Sequence, residues 1–201
     1  MLRRSSTAFS FAKQKLLEWS LPGMPVLETR RLILRQLRAT DVDDIYEYAS
    51  DPEVSRYTLW DTHKSLDETR VFLNYIIEQH RRGEGMVWAV TERATRKMIG
   101  TCGFGSFRYR DSRAELGFAL SRRFWNRGIT TEAVAAVLRF IFEDLKLNRV
   151  EARCDVDNLA SARVLEKSGM TYEGILRQHA RIKSEFRDLK LYSILREEYE
   201  E

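Results

Sequence analysis

The segment from Arg123 to Glu132 (Arg-Phe-Trp-Asn-Arg-Gly-Ile-Thr-Thr-Glu) has the residue types of an anion seat. Its polar, glycine-bearing turn precedes a run with apolar residues at Ile129, Ala133, Val134, Val137, Leu138, Ile141, Phe142 and Leu145, the period of a helix packed on one face. The first amides of a helix have no intrahelical acceptor, and the helix dipole makes that end attractive to negative charge. Gly128 has no Cβ to hold a ligand off. The spacing therefore predicts that the N–H groups of Asn126, Arg127, Gly128, Ile129 and Thr130 receive a phosphate or pyrophosphate. Arg122, Arg123 and Arg127 add positive charge nearby; a solvated surface cluster is the other use such arginines have.

Proton-handling candidates lie on either side of this turn. Glu115 belongs to the strand-like run Ala114 to Leu120, whose alternation sends Leu116 and Phe118 to one face and Glu115 and Gly117 to the other. It is a candidate base or a surface carboxylate paired to an arginine. Asn158 and Ser161 stand three apart at the start of a helical run, close to one face. Either Asn158 or Asp157 could be no more than that helix's N-cap. Cys154 reads more readily as a small buried hydrophobe than as a nucleophile, and Tyr192 as a strand packing residue or a further proton carrier.

The elements that must position these groups follow from periodicity and breakers. Strands are expected at 31–35, 86–91, 98–104, 113–120, 149–155, 171–176 and 188–195. Helices are expected at 42–49, 65–82, 129–145 and 160–167, with Asp51-Pro52 and Gly169 as stops. That order predicts an α/β (α+β) fold: a mixed, mostly antiparallel sheet of about six to seven strands with helices on both faces. Pro22, Gly23 and Pro25 separate residues 1–25 from a domain at 26–201. In the extension, Phe9, Ala12, Leu16 and Trp19 share a helical face, which suits an added helix docked on the body or on a second subunit, as in a homodimer. Arg3, Arg4, Lys13 and Lys15 with several serines give it a superficial likeness to a transit peptide.

A chain of 201 residues with 43% hydrophobic residues can build one sizeable core. Thirty-four Lys and Arg against 30 Asp and Glu leave a formal charge of +4, interspersed along the chain, which argues against a nucleic-acid-binding tail. No run of 18 apolar residues is present, so no membrane helix is expected. Cys102 and Cys154 make neither a disulfide framework nor a zinc spacing, and His63, His80 and His179 are scattered; no metal site and a reducing cytoplasm are expected.

Several separated motifs together resemble the GNAT superfamily of acyl-CoA-dependent N-acetyltransferases, and within it the RimJ/RimL type that acts on ribosomal-protein N-termini. They are Leu27-Glu28-Thr29-Arg30-Arg31-Leu32-Ile33-Leu34-Arg35, Ala114-Glu115-Leu116-Gly117-Phe118, Trp125 to Ala133, and Asp157-Asn158-Leu159-Ala160-Ser161 through Glu166-Lys167-Ser168-Gly169-Met170. The likeness runs from about Val26 to about Tyr199. Trp125 and Thr130 depart from the superfamily's commoner residues at the turn, but backbone amides do the binding there.

The resemblance implies acetyl-CoA as co-substrate, its pyrophosphate on the amides of Asn126 to Thr130 and its pantetheine beside Ala119 and Leu120. It places Asn158 next to the pantetheine and Ser161 near the sulfur as proton donor to the thiolate. It makes Glu115 the base that reaches the amine through water, and it allows a cysteine such as Cys154 near the thiol. The acceptor cleft would border residues 41–68, where nine acids (Asp41, Asp43, Asp44, Glu47, Asp51, Glu53, Asp61, Asp67, Glu68) face only Arg56 and Lys64. A cationic peptide N-terminus or small amine is the expected partner, with a solvated helix face as the alternative. A small-amine acetyltransferase and a non-catalytic acetyl-CoA-binding module are the competing functions. A nucleotide-phosphate enzyme is disfavoured because Gly100, Gly103 and Gly105 form no phosphate-loop or dinucleotide fingerprint.

Overall fold

Along Met86–Glu92, Met86, Trp88 and Val90 point to one side and Val87 and Ala89 to the other, so a strand with two apolar faces needs cover on both. The computed structural model describes residues 23–200 and shows how that cover is supplied. The expected N-terminal helix, and most of the 1–25 extension, lie outside the described residues.

Eight strands form one sheet: β1 (Leu27–Glu28), β2 (Leu32–Gln36), β3 (Met86–Glu92), β4 (Met98–Arg108), β5 (Arg113–Leu120), β6 (Arg149–Asp155), β7 (Thr171–Ile182) and β8 (Glu185–Leu195), in the order β1-β2-β3-β4-β5-β6-β8-β7. The helices are α1 (Val42–Ala49), α2 (Pro52–Ser55), α3 (Leu66–Arg81), α4 (Ile129–Arg139), α5 (Leu159–Lys167) and α6 (Arg196–Glu200). The mixed, mostly antiparallel sheet expected from the pattern is present, with the two-residue β1 as an extra strand. One cluster of buried residues joins the sheet to α4 and α5, and a second joins its opposite face to α1 and α3.

Helix boundaries follow local chemistry. Asp51 Oδ1 accepts the Glu53 amide at 3.0 Å and Pro52 opens α2. Ser65 caps α3 through Glu68, and Asn158 caps α5 through Ser161. Helix α4 starts without any side-chain cap, on Gly128 at φ 69°. The helical run predicted to Leu145 is α-helical only to Arg139 and finishes in a π-type turn, Phe140–Asp144.

The β7–β8 hairpin is longer than the pattern predicts. Residues 177–187 continue the ladder through a two-residue turn in which Lys183 and Ser184 are both left-handed, at φ 49° and 72°. Arg177, Gln178, His179 and Arg181 are exposed, so this stretch carries no apolar alternation.

Several carboxylates on this frame are held below their usual range. Burial opposes ionisation of Glu132, Glu151 and Asp155, but hydrogen bonds from Thr29 and Arg31, from Arg149 and Arg113, and from Arg187 outweigh it; at Glu173 the Arg149 contact is the main cause. Because the folded values lie below the unfolded ones, this contribution is complete above the ordinary carboxylate range and is lost as pH falls through the folded values. Screening at these partly exposed sites keeps each contribution small. The melting temperature is expected to be level from pH 8 to 6 and to fall by about 5 °C or more between pH 5 and 3; a level profile in that acid range would contradict these pairings.

Candidate active site

The turn before α4 is built from two left-handed residues, Asn126 at φ 58° and Gly128 at φ 69°. Asparagine tolerates that conformation and glycine adopts it without a Cβ penalty. The amides of Asn126, Arg127, Gly128, Ile129 and Thr130 have no protein acceptor among the described residues. Asn126, Arg127 and Gly128 are exposed, so the donors are open to an incoming anion. The positive charge around them is smaller than the sequence suggests. Arg122 is paired to Asp51 at 2.9 Å and Arg123 to Glu47 at 3.3 Å. Arg127 stacks over the Phe124 ring and has no carboxylate partner among the described residues.

Just ahead of this turn in the chain, the sheet splits. Strands β5 and β6, the only parallel neighbours among the described residues, pair from Arg113↔Arg149 to Leu116↔Ala152 and then part, although β5 continues to Leu120 and β6 to Asp155. A bulge in β4 between Phe104 and Ser106 shifts the register opposite this point. The Ser121 amide bonds to Ile99 on the β4 side, so by alternation the backbone groups of Ala119 also face β4, while those of Phe118 and Leu120 face the split. The Leu120 carbonyl is taken by the Trp125 indole at 2.8 Å, leaving the Leu120 amide and both backbone groups of Phe118 available on that edge.

The candidate proton groups fall on opposite faces of the split. On the α5 face, Asn158 Oδ1 accepts the Ser161 amide at 3.1 Å, so its capping role is realised, and both residues remain half-buried. The Ser161 hydroxyl has no protein partner among the described residues. Beside them on this face, burial pushes the Cys154 thiol up to about 11, partly offset by Lys190. Tyr192 donates to Glu166 Oε1 at 3.0 Å and is pushed up to about 12, first by burial and then by that carboxylate. Cys102 is buried elsewhere in the core and is pushed up to about 12.

On the other face, Glu115 meets Arg153 fork to fork, with Oε1 2.8 Å from Nε, and Arg153 also contacts His179. The arginine-paired alternative for Glu115 is therefore present in the structure. Arg153 and His179 carry no sequence signal of their own; strand alternation and the unpredicted part of β7 bring them here. An open hollow of about 660 Å³ adjoins His179 and Asp188 where β7 bulges. Beyond Asp155 the β7–β8 hairpin reaches across to α2, where Lys183 Nζ donates to the Ser55 carbonyl at 2.7 Å.

The acidic region from 41 to 68 is largely neutralised by folding. Asp41 accepts two hydrogen bonds from the Arg35 guanidinium, Asp44 and Glu47 share Lys97, Asp51 takes Arg122, Glu53 and Asp67 lie near Arg56 and Arg70, and Glu68 accepts the Lys64 amide. Counting charges within the segment overstates its negative character, because Arg35, Lys97, Arg122 and Arg123 arrive from outside it.

Comparison with known proteins fits this geometry. The family described as "Acetyltransferase (GNAT) domain" matches residues 31–171, and the chain belongs to that acetyltransferase family. It is 32% identical over 176 residues to an uncharacterised N-acetyltransferase, p20, of Bacillus licheniformis, covering 88% of this chain and 99% of that one. The GNAT-family acetyltransferase structure from Bacillus anthracis superposes with a TM-score of 0.77 at 27% identity, over 86% of this chain and 99% of that one. The ribosomal-protein-serine acetyltransferase of Escherichia coli is 25% identical over 130 residues, which is 65% of this chain and 72% of that protein. The protein is an acetyltransferase enzyme. No described helix is long and apolar enough to cross a membrane.

Proposed function

We propose that the protein transfers an acetyl group from acetyl-CoA to a primary amine, with a protein N-terminal α-amine of the RimJ/RimL type as acceptor, by direct attack of the amine on the thioester. The observation that carries this reading is the uncapped turn at Asn126 to Thr130, whose free amides suit the pyrophosphate. The pantetheine then lies as an added strand along the end of β5, on the free groups of Phe118 and Leu120 rather than on Ala119, whose backbone faces β4, with Asn158 beside it. The amine nitrogen attacks the thioester carbonyl carbon, the tetrahedral intermediate expels the thiolate, and the Ser161 hydroxyl supplies the proton that the sulfur takes while regaining one from solvent water. Glu115 receives the amine proton through water. Cys154 is kept as the neutral thiol at neutral pH by its raised value, which supports direct transfer over an acyl-enzyme.

The engagement of Glu115 by Arg153 favours an acceptor that asks little of its base. An α-amine with a pKa near 8 needs about 3 kcal/mol less for deprotonation at neutral pH than a lysine near 10.4. The similarity to the ribosomal-protein-serine acetyltransferase supports the same choice. A small amine is the second reading, favoured by the Lys183 to Ser55 contact, which narrows the approach past the hairpin.

Mass spectrometry separates the two. Incubation with acetyl-CoA is expected to acetylate peptides at a free N-terminus, and acetylation of polyamines or amino sugars alone would establish the second reading. Absence of thiol release with every amine would leave a binding module. Glu115→Gln is expected to lower kcat/KM about tenfold at pH 7 and less at pH 9, where more of the amine is already neutral. An equal loss at both pH values would remove Glu115 as base.

A further inference from the structure

Thr29, Arg31 and Glu132 take no part in the steps above, yet they meet directly behind the amide turn. Glu132 lies in the first turn of α4, where a free carboxylate would compete with an incoming anion for the same amides. Its side chain is instead drawn into the β1–β2 turn. Thr29 Oγ1 donates to Oε1 at 2.6 Å, the Arg31 amide donates to the same oxygen at 2.9 Å, and Arg31 Nε donates to Oε2 at 2.6 Å. Arg31 Nη1 then donates to the Arg127 carbonyl at 2.8 Å, and Nη2 lies 3.6 Å from the point a Gly128 Cβ would occupy. The Thr29 turn is braced from behind by Arg93, which donates to the Thr29 carbonyl at 2.9 Å and to Glu28 at 2.8 Å.

We propose that the Glu132–Arg31 pair, braced by Thr29, is a positioning clamp that holds the 125–128 turn with its amides directed outward and keeps the Glu132 carboxylate of the first helical turn away from them. The clamp acts on the binding of the diphosphate-bearing donor and touches no reacting atom. It grips the turn at Arg127, between the two left-handed residues Asn126 and Gly128, where backbone released from its partners relaxes most readily. This inference rests on the reading that the turn receives acetyl-CoA.

The test compares acetyl-CoA with acetyl-pantetheine, a thioester donor that lacks the diphosphate, in wild type, Glu132→Gln and Arg31→Lys, with melting temperatures recorded for each. Glu132→Gln is expected to raise KM for acetyl-CoA roughly tenfold with little change in kcat, and to affect acetyl-pantetheine at least several-fold less. Arg31→Lys keeps the charge but not the fork, and is expected to show the same donor-dependent split in a milder form. Equal losses with both donors, or an unchanged KM for acetyl-CoA, would overturn the clamp. Wild-type KM values that do not distinguish the donors would remove the diphosphate seat along with it, whereas distinct wild-type values with unaffected variants would remove the clamp alone.

Discussion

Replacing Gly128 by valine is expected to raise the Kd for coenzyme A by about 100-fold or more, measured by calorimetry. Gly128 sits at φ 69°, where a β-branched residue is strongly disfavoured, so the turn has to refold around the new side chain. The added Cβ would stand 3.6 Å from Arg31 Nη2, an ordinary contact, so the effect comes from the backbone conformation and not from a clash. Loss of alignment at two amides, each worth roughly 1.5–3 kcal/mol toward a charged acceptor, already reaches that factor. The core under α4 depends on Ala133, Val134 and Val137 rather than on Gly128, so the variant is expected to stay folded. An unchanged Kd in a folded variant would mean that these amides do not hold the donor.

The second large effect is expected in turnover. Ser161→Ala is expected to reduce kcat about 100-fold while KM for acetyl-CoA stays within about twofold, which is the pattern of a group acting in proton transfer rather than in binding. The hydroxyl has no protein partner to lose among the described residues, so the melting temperature is expected to hold. Asn158→Ala provides the contrast, since removing the α5 cap costs roughly 1 kcal/mol of stability. A fully active Ser161→Ala enzyme would assign the thiolate's proton to another source. Tyr192 is poorly placed to replace it, because its proton is committed to Glu166.

The amino-acid pattern carries the fold well where burial is periodic. β5 and α1 appear at the residues the alternation and the helical spacing predict, and β3 and α3 depart by only a residue or so at their ends. The same pattern misses the outer half of the β7–β8 hairpin, because Arg177 to Arg187 are mostly exposed and their strand character comes from cross-strand pairing rather than from a buried face. The turn at Gly128 was recognisable because a glycine and a helix onset coincide in sequence. Glu132 was not, because its partners lie about a hundred residues away and an acid in a first helical turn ordinarily needs no partner at all. The charge on the 41–68 segment misleads for a related reason: ion pairs form in space, and four of the cations that answer those acids come from other strands and turns.

Strands β5 and β6 share a register of only four residue pairs before they diverge. The enzyme without its donor therefore has an unfinished row of main-chain hydrogen bonds down its middle, with β1 to β5 on one flank and β6 to β8 on the other. On the proposed reading, a pantetheine chain laid into that gap would supply the missing rung, and the affinity for the donor and the cohesion of the two flanks would become one quantity. A donor whose arm could not complete the row would then give up part of the protein's own stability as well as its own contacts.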